Sequence, residues 1–121
     1  MGQNVAILGA SNKPDRYAYK AMKLLLDKGH AVYLVHPKLS EVEGEPVYSK
    51  ISEIPKKIDT LTLYINADRQ ELVRGDILEL HPSRVIFNPG SENPEFAKAL
   101  EAAGIQTEEA CTLVLLHSEQ F

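Results

Sequence analysis

Gly9, Ala10, Ser11, Lys13 and Arg16, inside the run Gln3 to Arg16, are the residues of this chain whose types and spacing best suit chemistry. A short apolar run, Val5 to Leu8, stops at Gly9, and an amphipathic pattern begins near Arg16, so the stretch reads as strand, tight loop and helix. N–H groups left without partners at a helix start, together with the positive end of the helix dipole, stabilise an anion placed there. Lys13 and Arg16 add positive charge. A cation at Arg16 opposes the dipole of its own helix, which suggests an anionic partner such as a phosphate.

The glycines say which phosphate loop this is. In the dinucleotide fingerprint G-x-G-x-x-G, the second glycine lets backbone approach a pyrophosphate and the third lets helix pack on strand. Here the three places are Gly9, Ser11 and Pro14. A hydroxyl replaces bare backbone at the second, and at the third proline fixes φ and removes a donor. The second strand, Ala31 to Val35, ends in His36-Pro37-Lys38, with none of the carboxylates that hold a free ribose 2′-hydroxyl. That edge suits an adenine on an apolar surface beside a phosphorylated ribose better than it suits NAD.

The elements that must position these residues alternate regularly, which predicts an α/β parallel sheet. Helix one, about Arg16 to Lys28, places Ala18, Ala21, Met22 and Leu25 on one face, with Gly29 as its C-cap. Lys38 to Lys57 carries turn signals at Gly44, Pro46 and Pro55 and reads as a long crossover with at most a helical turn. Asp59 to Ile65 is a third strand. Asp68 and Glu71 resemble a capping pair for a helix burying Leu72, Val73, Ile77 and Leu80. Val85 to Phe87 is a fourth strand, Asn93 and Pro94 start another helix, and Ile105 to Glu108 is a fifth strand. Leu113 to Leu116 is a sixth strand or a helical turn.

The crossover rule and the usual doubly wound order predict a three-layer Rossmann-like sheet of order 3-2-1-4-5, with the first and fourth strands side by side. Ligands in such sheets bind beyond the carboxyl ends of the strands at the switch point. The loops expected there are Gly9 to Arg16, His36 to Lys38, Asn66 to Arg69 and Asn88-Pro89-Gly90-Ser91. Glu92 and Glu95 at the second helix start would repel a phosphate, so the anion belongs to the first.

Composition narrows the class. The chain has 121 residues, 44% hydrophobic and 25% charged, which is one domain of ordinary size, residues 1–121. No apolar run approaches the roughly 20 residues of a membrane span, and the N-terminus enters a strand at once, so a cytoplasmic protein is expected. A single cysteine fits a reducing compartment. Net charge −4 argues against nucleic acid, whereas a small anion needs only a local basic cluster. His30, His36, His81 and His117 lack metal-site spacing. Tyr33 and Tyr64 read as sheet packing. Cys111 is either a small apolar filler or a thiol facing the ligand edge.

Val5-Ala-Ile-Leu-Gly-Ala-Ser11, Pro14-x-Arg16 with Tyr19, Val35-His-Pro37, Gly44-Glu-Pro46-Val-Tyr48, Ile54-Pro55 before Ile58-Asp59, and Asn88-Pro-Gly90 followed by Glu95 resemble the small stand-alone CoA-binding domain family. That family is similar to the N-terminal CoA-binding domain of succinyl-CoA synthetase α subunits. The resemblance spans about Asn4 to Cys111, and its most specific piece is Gly-Ala-Ser-x-x-Pro-x-Arg. It implies coenzyme A or an acyl-CoA as ligand, with contacts drawn from Gly9, Ala10, Ser11, Lys13, Arg16, His36, Pro37, Lys38, Asn66, Asn88, Pro89 and Gly90. The chain departs from the family where Asn66-Ala67 replaces a basic and proline pair, and in the apolar tail after Cys111.

Catalysis has less support than binding. There is no G-x-S-x-G elbow, zinc spacing or Walker lysine motif, and in the synthetases the chemistry resides in further domains. A non-catalytic binding module is expected. The alternatives are an NAD(P)-binding oxidoreductase-type domain and a ligand-free interaction module that uses Leu113 to Leu116 as a homo-oligomer surface.

Overall fold

The apolar run that opens the chain is strand β1, Asn4–Leu8, in a computed structural model that describes residues 2–121. Val5, Ala6, Ile7 and Leu8 are all buried, as a strand covered on both faces requires. Helix α1, Tyr17–Asp27, buries Ala18, Ala21, Met22 and Leu25, the stripe its spacing predicts. It ends in a Schellman turn: Gly29 has φ 88°, its N–H donates to the Leu26 carbonyl, and His30 N–H donates to that of Leu25. Strand β2, Ala31–Val35, then pairs in parallel with β1.

The chain continues through β3 (Glu41–Val42), β4 (Glu45–Tyr48), a 3-10 turn at Ile51–Glu53, β5 (Thr60–Leu63), α2 (Ala67–Gln70) and α3 (Arg74–Leu80). It closes with β6 (Arg84–Phe87), α4 (Pro94–Ala102), β7 (Gln106–Glu109) and α5 (Thr112–His117). Alternation along β1 divides the core in two. Val5 and Ile7 pack with Ala18, Met22 and Leu25 of α1 and Leu116 of α5. Ala6 and Leu8 pack with Ile51, Ile77, Phe96 and Leu100 on the opposite face.

The strand order corrects the expected 3-2-1-4-5. The sheet runs β3-β4-β2-β1-β5-β6-β7, so the strand beside β1 is β5, registered Val5 to Thr60 and Leu8 to Leu63. The Val85 strand lies one place further out, registered Leu61 to Val85. The reason lies in the stretch read as a loop. Glu43 and Gly44, both at positive φ, turn β3 back on β4, and β4 pairs with β2, occupying the edge where the third predicted strand was placed. Gly44 is therefore a hairpin turn, not a crossover signal. Without that hairpin the five strands follow the flavodoxin-like order 2-1-3-4-5, whose switch point lies between β1 and β5.

Two further elements differ from expectation. The helix after β5 is broken, α2 and α3 being separated at Glu71 to Val73, and Leu72 is 86% exposed instead of buried. Its cap is Asn66, whose side chain accepts from Arg69 N–H, instead of the Asp68 and Glu71 pair. Buried Gln70 causes the break: its amide donates to the carbonyls of Ile65 and Ser91, which fixes the first turn against the sheet. The tail Leu113 to Leu116 lies in α5, which buries Leu116 against the same chain and leaves Val114 exposed. No helix among the described residues is long and apolar enough to cross a membrane.

Gly9 locks the loop after β1 to the end of β5. Its φ is +92°, and a Cβ there would lie 3.0 Å from Ile65 Cγ2 and 3.2 Å from the Tyr64 backbone. Gly90, at φ +94°, has nothing within 4 Å of such a Cβ. Gly9→Ala should cost about 2–3 kcal/mol, strain plus collision, against about 1 kcal/mol for Gly90→Ala. Urea unfolding checks this, as a lower midpoint at unchanged slope, larger for Gly9.

Candidate functional site

At the carboxyl ends of β1, β2 and β5 the chain leaves the sheet in three loops, and each must satisfy its own backbone. The first does so partly from within. Gly9 and Ala10 N–H both donate to the Val35 carbonyl at 3.2 Å, Lys13 N–H to Ser11 Oγ at 3.1 Å, and Arg16 N–H to the Lys13 carbonyl at 3.0 Å. Gly9 and buried Ala10 therefore shape the loop with amides already used, and Ser11 Oγ acts as an internal cap. The amides of Ser11 and Asn12 have no protein acceptor among the described residues.

Helix α1 begins without a side-chain cap, since Arg16 stands at its N-cap position in extended conformation and its side chain makes no cap hydrogen bond. Its first-turn amides keep their dipole exposed. The N-terminus of α4 is the opposite case. Asn93 Oδ1 accepts from Phe96 N–H, Glu92 accepts from Gly90 N–H at 2.9 Å, and Glu95 is held by Arg74 at 2.9 Å. One helix start lacks a side-chain cap and has Lys13 and Arg16 beside it in the chain, and the other is capped by Asn93 with Glu92 and Glu95 flanking it.

The four arginines sort in the same way. Arg74 and Arg84 are paired with Glu95 and Glu108, whereas Arg16 and Arg69 have no ion pair among the described residues. Lys13 and Lys38 are likewise unpaired and exposed. These four cations come from three of the loops predicted to meet at the ligand edge. Arg69, in α2, lies close enough to His36 to lower its proton affinity; by sequence it is only the end of the Asn66 loop and not among the ligand contacts. Its signal was an arginine two residues beyond the Asn66-Ala67 pair that replaces a basic and proline pair of the family.

The second loop is held by His36. Its N–H donates to the Tyr48 carbonyl at 3.0 Å, and its Nδ1 accepts from Lys38 and Leu39 N–H at 3.0 and 3.2 Å. Pro37 and Lys38 project exposed beyond it. Burial, then Lys38 and Arg69, place the imidazole below its ordinary proton affinity.

Asn66 and Asn88 both hold the protein's own backbone, Asn66 through its side-chain oxygen alone. Asn66 caps α2, and Asn88, 2% exposed, donates to Thr62 Oγ1 at 2.6 Å and to the Leu63 carbonyl at 2.9 Å while accepting from Thr112 N–H at 2.9 Å. Pro89 and Gly90 are exposed beside it. Tyr64 lies beneath the same edge with a buried hydroxyl that makes no hydrogen bond, the neighbouring Thr62 and Thr112 bonding each other at 2.8 Å. Burial pushes that phenol up to about 12. Cys111 stands partly exposed at the start of α5.

Two grooves of about 460 Å³ lie elsewhere, one between α1 and α5 and one at the amino edge of the sheet around Arg84 and Phe121. Arg84 is already bound to Glu108 and Thr60 there, so the second offers no free cation. Among the described residues no group of three or more His, Cys, Asp or Glu is arranged to hold a metal.

An open, mostly parallel α/β sheet whose first strand leads through a tight loop into a helix without a side-chain cap defines a Rossmann-like class of protein. The chain belongs to the CoA binding domain family, whose model matches residues 3–117. It is similar over its whole length to a protein of known crystal structure, described as uncharacterized, at 40% identity and TM-score 0.94, covering 99% of that chain. YneT of Bacillus subtilis is 26% identical over 102 residues, 84% of this chain and 76% of that protein. The α subunit of acetate–CoA ligase (ADP-forming) II from Pyrococcus furiosus is 33% identical over 64 residues, 52% of this chain but 14% of the subunit.

Asn88→Ala removes three bonds at a buried position and should destabilise the fold by about 2–4 kcal/mol. Thermal unfolding checks this; an unchanged midpoint would free Asn88 for a ligand role.

Proposed function

We propose that this chain binds coenzyme A or an acyl-CoA as a non-catalytic module. The observation that carries the reading is the contrast between the two helix starts, α1 uncapped among unpaired cations and α4 filled by Asn93, Glu92 and Glu95. The diphosphate sits over the first turn of α1, against the Ser11 and Asn12 amides, with Arg16 and Lys13 as its cations. Backbone amides at a helix start supply fixed dipoles, and the guanidinium adds charge-assisted bonds that shorten and strengthen on a phosphate. The adenosine end lies toward His36-Pro37-Lys38, where Lys38 and Arg69 meet the 3′-phosphate. Family membership supports CoA over other nucleotides, as do the serine and proline at the second and third glycine places and the missing acid after Val35.

Calorimetry with CoA, dephospho-CoA, ADP and NAD tests the reading. CoA should bind tightest, dephospho-CoA should lose about tenfold for the missing phosphate, and NAD should be weakest. Arg16→Ala should weaken CoA by about tenfold or more with thermal stability unchanged, because the side chain is exposed and unpaired. Tighter NAD than CoA would assign the oxidoreductase-type alternative, and no binding by any of the four would assign an interaction module.

A further inference from the structure

The turn that presents Pro37 and Lys38 is built around an unprotonated ring nitrogen. Two backbone donors, Lys38 N–H and Leu39 N–H, converge on His36 Nδ1 at 3.0 and 3.2 Å, while the residue's own N–H is anchored on the Tyr48 carbonyl of β4. Nδ1 can accept these bonds only without a proton, so the ring's hydrogen belongs on Nε2. An imidazolium donates from both nitrogens. Protonation therefore replaces two attractive contacts by an N–H aimed at two other N–H groups.

We propose that His36 is a positioning residue: its neutral ring holds the turn between β2 and β3, and with it Lys38, in the arrangement that captures the ligand's phosphate, and acidification releases the turn. The consequence for affinity rests on the CoA reading above; the consequence for the turn does not. The charged groups that act on the ring are Lys38 from its own turn and Arg69 from α2, and β4 meets it through a carbonyl. Burial first, and then these two cations, hold its pKa below the ordinary 6.5. Because the folded value is depressed, the stabilisation of the turn is present above 6.5 and is lost as pH falls through the lowered value. A ring that instead touched the ligand's phosphate directly would show the opposite sign, since a bound anion favours the imidazolium.

Two measurements decide it. In the ligand-free protein, ring and amide NMR titrated from pH 8 to 5 should show the Nε2–H tautomer at high pH, with the Lys38 and Leu39 amides shifting and exchanging faster in step with His36 protonation. His36→Asn, whose side-chain oxygen can accept the same two amides without titrating, should hold those amides pH-independent. CoA affinity by calorimetry over the same range should then fall in the wild type, relative to His36→Asn, by up to about tenfold per pH unit below the His36 pKa. The ligand's own 3′-phosphate takes up a proton near pH 6, but it does so against both proteins, so the ratio isolates His36. An Nδ1–H tautomer, amides indifferent to ring protonation, or a ratio that is flat or rises on acidification overturns the proposal. If CoA binds at no pH, the CoA reading falls and the amide titration alone decides the role of His36.

Discussion

The close approach of Gly9 to the end of β5 is the constraint on which the rest of the carboxyl edge depends. At φ +92°, with the Tyr64 backbone 3.2 Å from where a side chain would begin, only glycine lets the chain turn there without strain or collision. The turn delivers Gly9 and Ala10 N–H to the Val35 carbonyl, so the exits of β1 and β2 are tied together. The residues that follow are then lifted over the sheet, and α1 can start with its first turn open.

Around that tie, side chains divide the labour between holding loops and leaving room. Gln70 bridges Ile65 and Ser91 and accepts from Asn93, while Asn88 joins Thr62, Leu63 and Thr112. Buried polar groups of this kind are tolerated because each finds partners, and once paired they fix loop positions that apolar packing alone would leave free. The result is a rigid floor from β5 to α5. The cations above it, Lys13, Arg16, Lys38 and Arg69, are unpaired and exposed, so their charge is available to an anion at close range despite the chain's net −4.

Much of the fold could be read from local pattern. The strands at Val5, Ala31, Thr60, Val85 and Gln106 and the buried faces of α1 and α4 follow from period and from capping residues such as Asn93 and Gly29, because these signals act over a single turn of chain. The broken helix at Gln70 and exposed Leu72 could not be read in this way. The apolar spacing was that of one helix, and what interrupts it is a pair of hydrogen bonds to residues distant in sequence.

By itself the sequence determined the strand, tight loop and helix that open the chain, the missing acid after Val35, the cations at Lys13, Arg16 and Lys38, and the resemblance to the CoA-binding family, all of which are carried by residue type and short spacing. Only the tertiary structure decided which strand stands beside β1, because order depends on where β4 pairs, and a two-residue hairpin turn carries no information about which edge it will cover. It also decided which polar residues make hydrogen bonds within the protein. Asn88 and Ser11 look as available as Arg16 when read along the chain, and they are distinguished only by the partners that folding brings to them from β5 and α5 or, for Ser11, from its own turned-back loop.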